Sequence, residues 1–490
     1  MGSLYVGASG LQTSQNVLNT VAHNMTNVDT TGYVRQQSLL ATKMYNTISV
    51  NPRAISNQQI GLGVNYSATR QVRDYFLDKT YRRESGRSMF YEVSTEVMGE
   101  VENLLGELNG EDFQSALSNL WTAVQQLAEN PSSSVTQGLL VQRASEFLSR
   151  AGAVYNDLCA YQNNLNTQIK QKINTVNEYG RQIQQLNNAI RKVEAGGVEH
   201  ANDMRDARNQ LLDELAKLTK MEYKENAYGD VEVQIEGVDF VKGGRVYEME
   251  TWTDPATGFY KPYWPQNAEV YPPQSEKDIK RALVFDLQQD VSSTLNTDIG
   301  GLKAMLLARG DYRADCSDIK KDYDKVSQSI VMNMQAEFDL LVHNITTKMN
   351  SVLAGAYNPD TGYMCDENGA PLQLFQKINS AGYTQAADGT WNYVEEDWDS
   401  PETLYSVRNL QINGALMKEP GKLGFKLDEE SVDYATAEAM KEAFAAEEWT
   451  LNPNVQKQTN FINYYTDLVA QVANSGQVFC SIYNNQEATV

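Results

Sequence analysis

Apolar residues recur at alternating three- and four-residue steps from Val135 to Val193, a run much longer than an ordinary globular helix. Serines precede the run at capping positions, and "AGG" ends it. The pattern therefore predicts a helical rod, and we expect its face rich in Asn and Gln to be exposed. The apolar seam comprises Ala144, Phe147, Ala151, Val154, Leu158, Tyr161, Leu165, Ile169, Ile173, Val176, Ile183, Leu186, Ile190 and Val193.

Strand and turn patterns interrupt the helical ones at two places. "GDVEVQIEGVDFVKGG" alternates apolar and polar residues between glycines, which is typical of a small antiparallel β domain. The second segment, between Tyr357 and Asn454, mixes turn signals and short strands with one helical pattern. Helices at both chain ends thus bracket helical rods, and the rods bracket β-rich inserts.

This layout predicts a mainly α fold with β-rich inserts. The N- and C-terminal parts are expected to form a long antiparallel helical rod or coiled coil that carries smaller β-containing outer domains. The expected divisions are an N-terminal assembly helix and turn at 1–45, a helical rod domain at 46–220 with 300–355 and 456–490 packing alongside, a β-rich insert at 221–299 and a second, mixed insert at 356–455.

Each end of the chain has an amphipathic helical pattern of its own. The N-terminal helix carries an apolar seam and then runs into the polar turn "DTTGY". A single helix of this kind is marginal in water, so it is either a locally capped element or a helix that pairs with other chains. The N-terminal seam comprises Leu4, Ala8, Leu11, Leu18, Ala22 and Met25, and the C-terminal seam includes Phe461, Leu468, Val472 and Phe479.

Charge and hydropathy exclude several classes of protein. The 490 residues include 41 basic and 63 acidic ones, giving a net charge of −22, which argues against a nucleic-acid-binding face. No segment is apolar for long enough to span a membrane, and the N-terminus does not resemble a cleaved signal peptide. One local exception to the acidity, the basic stripe of Arg70, Arg73, Arg82 and Arg83, is either a solvated helix face or a contact with an acidic neighbouring subunit.

Catalytic and metal-binding motifs are not found in the sequence. Four cysteines lie far apart without a CxxC pair, and the chain has only three histidines. "NPDTG" and "DENG" contain acidic residues but lack the spacing of a calcium-binding loop, so they are interpreted as turns. We therefore predict no catalytic, cofactor-binding or metal-binding residues and no enzyme activity.

The segment "SGLQTSQNVLNTVAHNMTNVDTTGYVRQ" resembles the N-terminal signature of bacterial flagellar rod, hook and hook-associated proteins. The matching positions are Asn24, Asn27, Thr30, Gly32 and Tyr33. Further stretches are similar to hook-associated members of that family, namely "GLGVNYSATRQVRDYFLDKTYRRES", "NDMRDARNQLLDELAKL", "DIGGLKAMLLARGD" and, more loosely, "YSVRNLQINGALMKEPGKLGF". Because the family ends in a further amphipathic helix, we also expect the natural chain to continue beyond Val490.

The resemblance implies a structural junction protein that joins the flagellar hook to the filament as a ring of subunits. Its implied partners are the hook protein, a second junction protein leading to the filament, copies of itself, and the type III export apparatus with an export chaperone. It also implies an extracellular location in the flagellum, reached without a cleaved signal peptide. The assembly interface would then include both seams together with Asn24, Asn27, Gly32 and Tyr33. The N-terminal helix would be frayed in a single subunit and ordered by its neighbours.

Two alternatives remain open at this point. A hook or distal rod protein of the same family is disfavoured by the long rod and the returning "NDMRDARNQ" helix. A protein of another class, a secreted enzyme or adhesin, would carry its activity in the inserts.

Overall fold

The computed structural model describes residues 2–44, 46–49, 58–106, 112–197, 200–427 and 431–490. Among these residues the secondary structure is dominated by helices. They are α1 (Gly2–Thr26), α2 (Tyr75–Gly106), α3 (Phe113–Glu129), α4 (Ser134–Glu194), α5 (Asn202–Leu218), α6 (Glu276–Ile279), α7 (Gly301–Arg309), α8 (Cys316–Lys321), α9 (Tyr323–Ser327), α10 (Ile330–Gly355), α11 (Gly414–Lys418), α12 (Tyr434–Ala445) and α13 (Phe461–Glu487).

Strands form small antiparallel sheets between these helices. They are β1 (Gln36–Thr42), β2 (Asn46–Ser49), β3 (Gln58–Ile60), β4 (Val64–Gln71), β5 (Met221–Glu225), β6 (Val231–Ile235), β7 (Val238–Lys242), β8 (Arg245–Val246), β9 (Glu250–Thr253), β10 (Tyr260–Tyr263), β11 (Phe375–Lys377), β12 (Tyr383–Gln385), β13 (Trp391–Tyr393) and β14 (Leu410–Ile412). Strands β5 to β8 form one four-stranded sheet in sequence order, and the others pair as β1–β4, β2–β3, β9–β10, β11–β14 and β12–β13. The expected mainly α fold with β-containing inserts is confirmed.

Helix α4 is the predicted rod, 61 residues long. It begins where the serines predicted, because the Ser133 hydroxyl accepts a hydrogen bond from the Val135 amide at 3.3 Å. The seam residues Phe147, Val154 and Ile169 are fully buried, and α3, α5 and α7 pack along the helix. The seam of α4 therefore contributes to the core of the subunit itself.

Three asparagines on α4 correct the expectation that its Asn-rich face is exposed. Asn166, Asn177 and Asn187 are buried, and each binds the backbone of the β-rich segment with both ends of its amide. Asn177, for example, donates to the Met249 carbonyl at 2.8 Å and accepts from the Met249 amide at 2.9 Å. Because a side-chain amide offers one donor group and one acceptor, it replaces a neighbouring strand at these points.

Glycines allow the close packing of α2 against α5 and α7. A Cβ at Gly86 would lie 2.5 Å from the Ala216 carbonyl oxygen, and one at Gly300 would lie 2.9 Å from the Leu218 carbonyl oxygen. The Gly300 amide also donates to the Gly86 carbonyl at 2.9 Å. Ala216 and Gly300 belong to two of the stretches on which the family resemblance rests, and Gly86 directly follows a third, so the three stretches meet here.

The β1–β4 pair forms an N-terminal unit together with α1. Its register runs from Gln36 opposite Gln71 to Thr42 opposite Val64. The expected division between residues 45 and 46 therefore cuts through a paired hairpin. We propose instead that the N-terminal unit extends to Gln71, and we keep the other expected divisions as proposals.

Candidate assembly surface

Helix α1 presents its apolar seam to solvent. Leu4, Leu11, Leu18 and Met25 are 77%, 76%, 67% and 72% exposed, and Ala8 and Ala22 are exposed on the same helix. A surface helix of a globular protein normally turns its apolar face inward. We call the four large residues the N-terminal stripe, an apolar surface that none of the described residues covers.

The opposite, polar side of α1 holds the helix on the hairpin. Ser9 and Thr13 are buried, and the Ser9 hydroxyl accepts a hydrogen bond from the Val64 amide at 3.3 Å. Ser38 donates to the Thr20 hydroxyl at 2.9 Å. A Cβ at Gly63 would lie 2.0 Å from the Ser9 hydroxyl oxygen, so glycine permits this close approach. The helix is therefore complete in the single chain, where the resemblance implied fraying.

The signature residues after the stripe build a corner that turns the chain from α1 into β1. Backbone hydrogen bonds link Thr30 to Asn27 at 3.0 Å and Tyr33 to Thr30 at 3.1 Å, with Gly32 at φ 80°. The Tyr33 hydroxyl donates to the Asn24 side-chain oxygen at 2.7 Å. The structure thus gives Asn24, Asn27, Gly32 and Tyr33 contacts within the subunit, and the interface that the resemblance implies for them stays a prediction.

Asp206 on α5 fastens both ends of the hairpin to the rod. Its carboxylate accepts from the Val34 amide at 3.2 Å and from the Gln71 side-chain amide at 2.6 Å. The same Gln71 nitrogen donates to the Asn202 carbonyl at 2.8 Å. Burial disfavours the charged form and raises the pKa of Asp206 to about 6. Sequence reasoning missed this role, and the only signal was that Asp206 lies within a stretch that resembles the family.

The C-terminal seam lies in the core of the chain. Phe461, Leu468 and Val472 are at most 1% exposed, because α13 packs along α2. Phe479 is partly buried, and its ring centroid lies 6.3 Å from that of Tyr91 on α2. The interface expected at these residues is therefore corrected for the three buried ones, which stabilise the subunit itself.

A groove runs beside the N-terminal stripe, between α1 and β1. Its volume is about 770 Å³, and its apolar lining includes Val17, Val21, Met25 and Val28. Val21, Met25 and Val28 are also exposed. The groove widens the apolar surface of α1 beyond the stripe.

The described part of the chain offers neither a metal site nor a membrane-spanning helix. Within it, no group of three or more His, Cys, Asp or Glu residues is placed to hold a metal ion. Cys159, Cys316, Cys365 and Cys480 are free thiols. Burial lowers the pKa of His343 to about 3, so this histidine is neutral at ordinary pH. None of the helices in the described ranges is long and apolar enough to cross a membrane.

Comparison with known protein families gives matches in two parts of the chain. The family model of the flagellar hook-associated protein FlgK helical domain matches residues 98–364. The family model of the flagella basal body rod protein matches residues 4–33, which contain the N-terminal stripe and most of the corner. The two matches together cover the N-terminal helix and the rod.

Individual relatives and a solved structure also resemble the chain. Flagellar hook-associated protein 1 of Bacillus subtilis is 27% identical over 220 residues, 45% of this chain and 43% of that protein. Its counterpart in Salmonella typhimurium is 24% identical over 396 residues, 78% of this chain and 68% of that protein. The fold resembles the flagellar hook junction protein FlgK from Burkholderia pseudomallei, with a TM-score of 0.58 and 10% identity over 84% of this chain and 98% of that one. The FlgK helical-domain model matches more than half of the 490 residues of this chain, which therefore belongs to the flagellar hook-associated protein FlgK family.

Proposed function

We propose that this protein is a structural junction subunit of the bacterial flagellum, which joins the hook to the filament as a ring of copies. The observation that carries the proposal is the N-terminal stripe, a row of large apolar side chains exposed along one helix. Residues 2–26 of α1 also contain no Asp, Glu, Lys or Arg, although 21% of the chain is charged. Loss of charge is typical of surfaces that become buried in an assembly.

The proposed partners follow from this role. The stripe and its groove pack against helices of neighbouring copies, and the ends of the ring contact the hook protein and the second junction protein. The chain reaches the outside of the cell through the type III export apparatus, with an export chaperone and without a cleaved signal peptide. We propose no enzyme activity, and the family membership favours this subunit over a hook protein, a distal rod protein, or a secreted enzyme or adhesin.

Charged substitutions in the stripe test the proposal. We expect Leu11→Asp with Leu18→Asp to abolish filament growth, since each buried leucine contributes roughly 1.5–3 kcal/mol to an interface. Thermal unfolding of the subunit should hardly change, because both side chains are exposed in it. Motility and filament length are measured in cells that lack the natural gene.

Gln12→Asp with Asn19→Asp is the matched control. It adds the same charge to exposed positions of the same helix at the same seven-residue spacing. Secreted protein is assayed for every variant, so that loss of export is separated from loss of assembly. A stripe variant that is exported and still builds normal filaments contradicts the proposed function.

A further inference from the structure

The first two turns of α2 form an exposed surface that the proposed role of α1 does not use. Phe76 and Leu77 are 74% and 63% exposed, and Lys79 and Arg83 are exposed beside them. Large exposed apolar side chains ringed by charged ones are typical of protein interaction sites. This surface is also basic, although the chain as a whole has a net charge of −22.

A cleft of about 650 Å³ opens between these turns and β5. Apolar atoms dominate its walls, which include Phe76 and Tyr223, and the cations Lys79, Arg83 and Lys220 line it. Among the described residues its lining holds a single carboxylate, Glu222. We call Phe76, Lys79, Arg83 and Lys220 the cationic cleft.

Other cations of the predicted basic stripe are already used within the subunit. The Arg82 guanidinium donates to Asp213 at 2.7 Å and lies over the Tyr223 ring, 4.4 Å from its centroid. Arg73 forms ion pairs with Asp78 and Asp213. The contacts of Arg82 hold one wall of the cleft in place, while Lys79 and the outer part of Arg83 remain available to a partner. Arg83 keeps one contact of its own, to Glu84 at 2.8 Å.

An acidic face lies further along the same helix. Glu92, Glu96 and Glu100 follow one another at four-residue steps, and Glu487 of α13 lies close to Glu92. Burial, and then the charges of Glu96 and Glu487, raise the pKa of Glu92. We call these four glutamates the acidic face, and within it Glu96 and Glu487 repel the charged form of Glu92.

The nearby cation does little to relieve that repulsion. Lys217 is close enough to lower the pKa of Glu92, but its ammonium group already pairs with Glu214 at 2.8 Å. Glu96 and Glu100 are both exposed, so the excess negative charge of the acidic face lies at the surface of the subunit. A cationic partner would offset the repulsion between these carboxylates.

The two surfaces point in different directions. At 100° per residue, the centres of Lys79–Arg83 and of Glu92–Glu100 lie about 120° apart around α2 and roughly 20 Å apart along it. They therefore cannot meet within one subunit. Different surfaces on different sides of a subunit are what a head-to-tail contact between identical copies requires.

We propose that the cationic cleft of one copy receives the acidic face of the next, with Lys79 and Arg83 pairing with Glu96 and Glu100 of that copy. The inference rests on the proposed assembly of copies and names a lateral contact within it. Charge complementarity selects this occupant, because both halves of the contact lie on the same chain and Lys79, Glu96 and Glu100 form no ion pair with another described residue.

Charge reversal tests the pairing in cells. Lys79→Glu with Arg83→Glu should abolish filament growth, and Glu96→Lys with Glu100→Lys should do the same. A chain with all four substitutions should regain filaments, because both sides of the contact are reversed together. Lys418→Glu with Lys426→Glu, an equal change at exposed lysines of the second insert, should leave filaments normal. Normal filaments from either reversed pair, or no recovery in an exported and folded four-substitution chain, overturn the inference.

Zero-length cross-linking of lysine to glutamate in isolated hook–filament junctions provides a second readout. Lys79 and Glu96 are 17 residues apart on one helix, about 25 Å, so a direct link between them has to join two copies. We expect this link in assembled junctions of the natural chain, and again in those of the four-substitution chain, where the lysine and the glutamate have changed places. If cross-links join copies at other residues but not at Lys79 and Glu96, this inference is overturned and the proposed function is not. If exported stripe variants still build filaments, the proposed function is overturned.

Discussion

Asn24 and Gln36 exchange two hydrogen bonds across the corner between α1 and β1. The Asn24 amide nitrogen donates to the Gln36 carbonyl at 2.9 Å, and its oxygen accepts from the Gln36 backbone amide at 2.9 Å. Asn177 binds Met249 in the same way. A helix in this protein thus attaches an extended segment by an asparagine that replaces a neighbouring strand.

Asn24→Ala should loosen the start of β1. The substitution leaves the Gln36 amide and carbonyl without their partner, which costs roughly 1–3 kcal/mol locally. Hydrogen exchange should speed up at Gln36 and its neighbours, while the helices of the rod keep their protection. Asn19→Ala, at an exposed position of the same helix, serves as the control and should leave hydrogen exchange unchanged both at Gln36 and in the rod helices. Unchanged exchange at Gln36 would show that the corner does not depend on Asn24.

Asn177→Ala should destabilise the attachment of the β-rich segment to the rod. Asn177 and Met249 are both buried, so the freed backbone groups cannot bind water without local opening. We expect a loss of about 1–3 kcal/mol in the free energy of unfolding, measured with urea. Asn164→Ala, exposed on the same helix, is the control. Equal stability of the two variants would contradict this account of α4.

Two glycines of α2 should respond to alanine in opposite directions. Gly86→Ala places a Cβ 2.5 Å from the Ala216 carbonyl oxygen, a backbone atom of the packed α5 helix. It should therefore destabilise the chain by roughly 1–3 kcal/mol. Gly99→Ala meets nothing within 4 Å and should stabilise it by about 0.5–1 kcal/mol. Thermal unfolding measures both, and a neutral Gly86→Ala would refute the close packing.

Glu337 on α10 should make stability depend on pH. The carboxylate is fully buried, accepts from Asn452 at 2.6 Å and from Gln471 at 3.0 Å, and burial raises its pKa to about 7. This pKa lies above the ordinary value of a glutamate, so protonation of Glu337 adds to the free energy of unfolding. That contribution is complete below about pH 4.5 and is lost as the pH rises through about 7.

The comparison with Glu337→Gln isolates that contribution. Relative to this variant, the natural chain should lose up to about 3 kcal/mol in free energy of unfolding between pH 4.5 and 8. Burial also raises the pKa of Asp339 to about 7, but this group is present in both proteins and cancels in the difference. Urea unfolding at several pH values measures it, and a difference that stays constant across this range would disprove the assignment.

The helices could be predicted because their signals are periodic along the chain. The bounds of α4 follow from its seam and its serine cap, and the spacing of Leu4, Leu11 and Leu18 places them on one face of α1. Periodicity alone does not tell which face of a helix is covered, however. For α1 the polar face turned out to be attached, and for α13 the apolar seam turned out to be internal.

The attachments between segments could not be predicted, since they depend on pairs far apart in sequence. Asp206 reaches Val34 and Gln71 only after the chain has folded back along α5. Asn177 looks like any other polar residue of an exposed helix face until its partner Met249 is known. Both are single polar residues, and neither disturbs a local pattern in the sequence.

The central claim is that the N-terminal stripe is exposed in the free subunit and buried between copies in the flagellum. An electron cryo-microscopy map of the assembled hook–filament junction, resolved at the level of side chains, tests it most directly. We predict that Leu4, Leu11 and Leu18, exposed by 77%, 76% and 67% in the subunit, contact helices of neighbouring copies there. A junction in which these three side chains still face solvent would contradict the account.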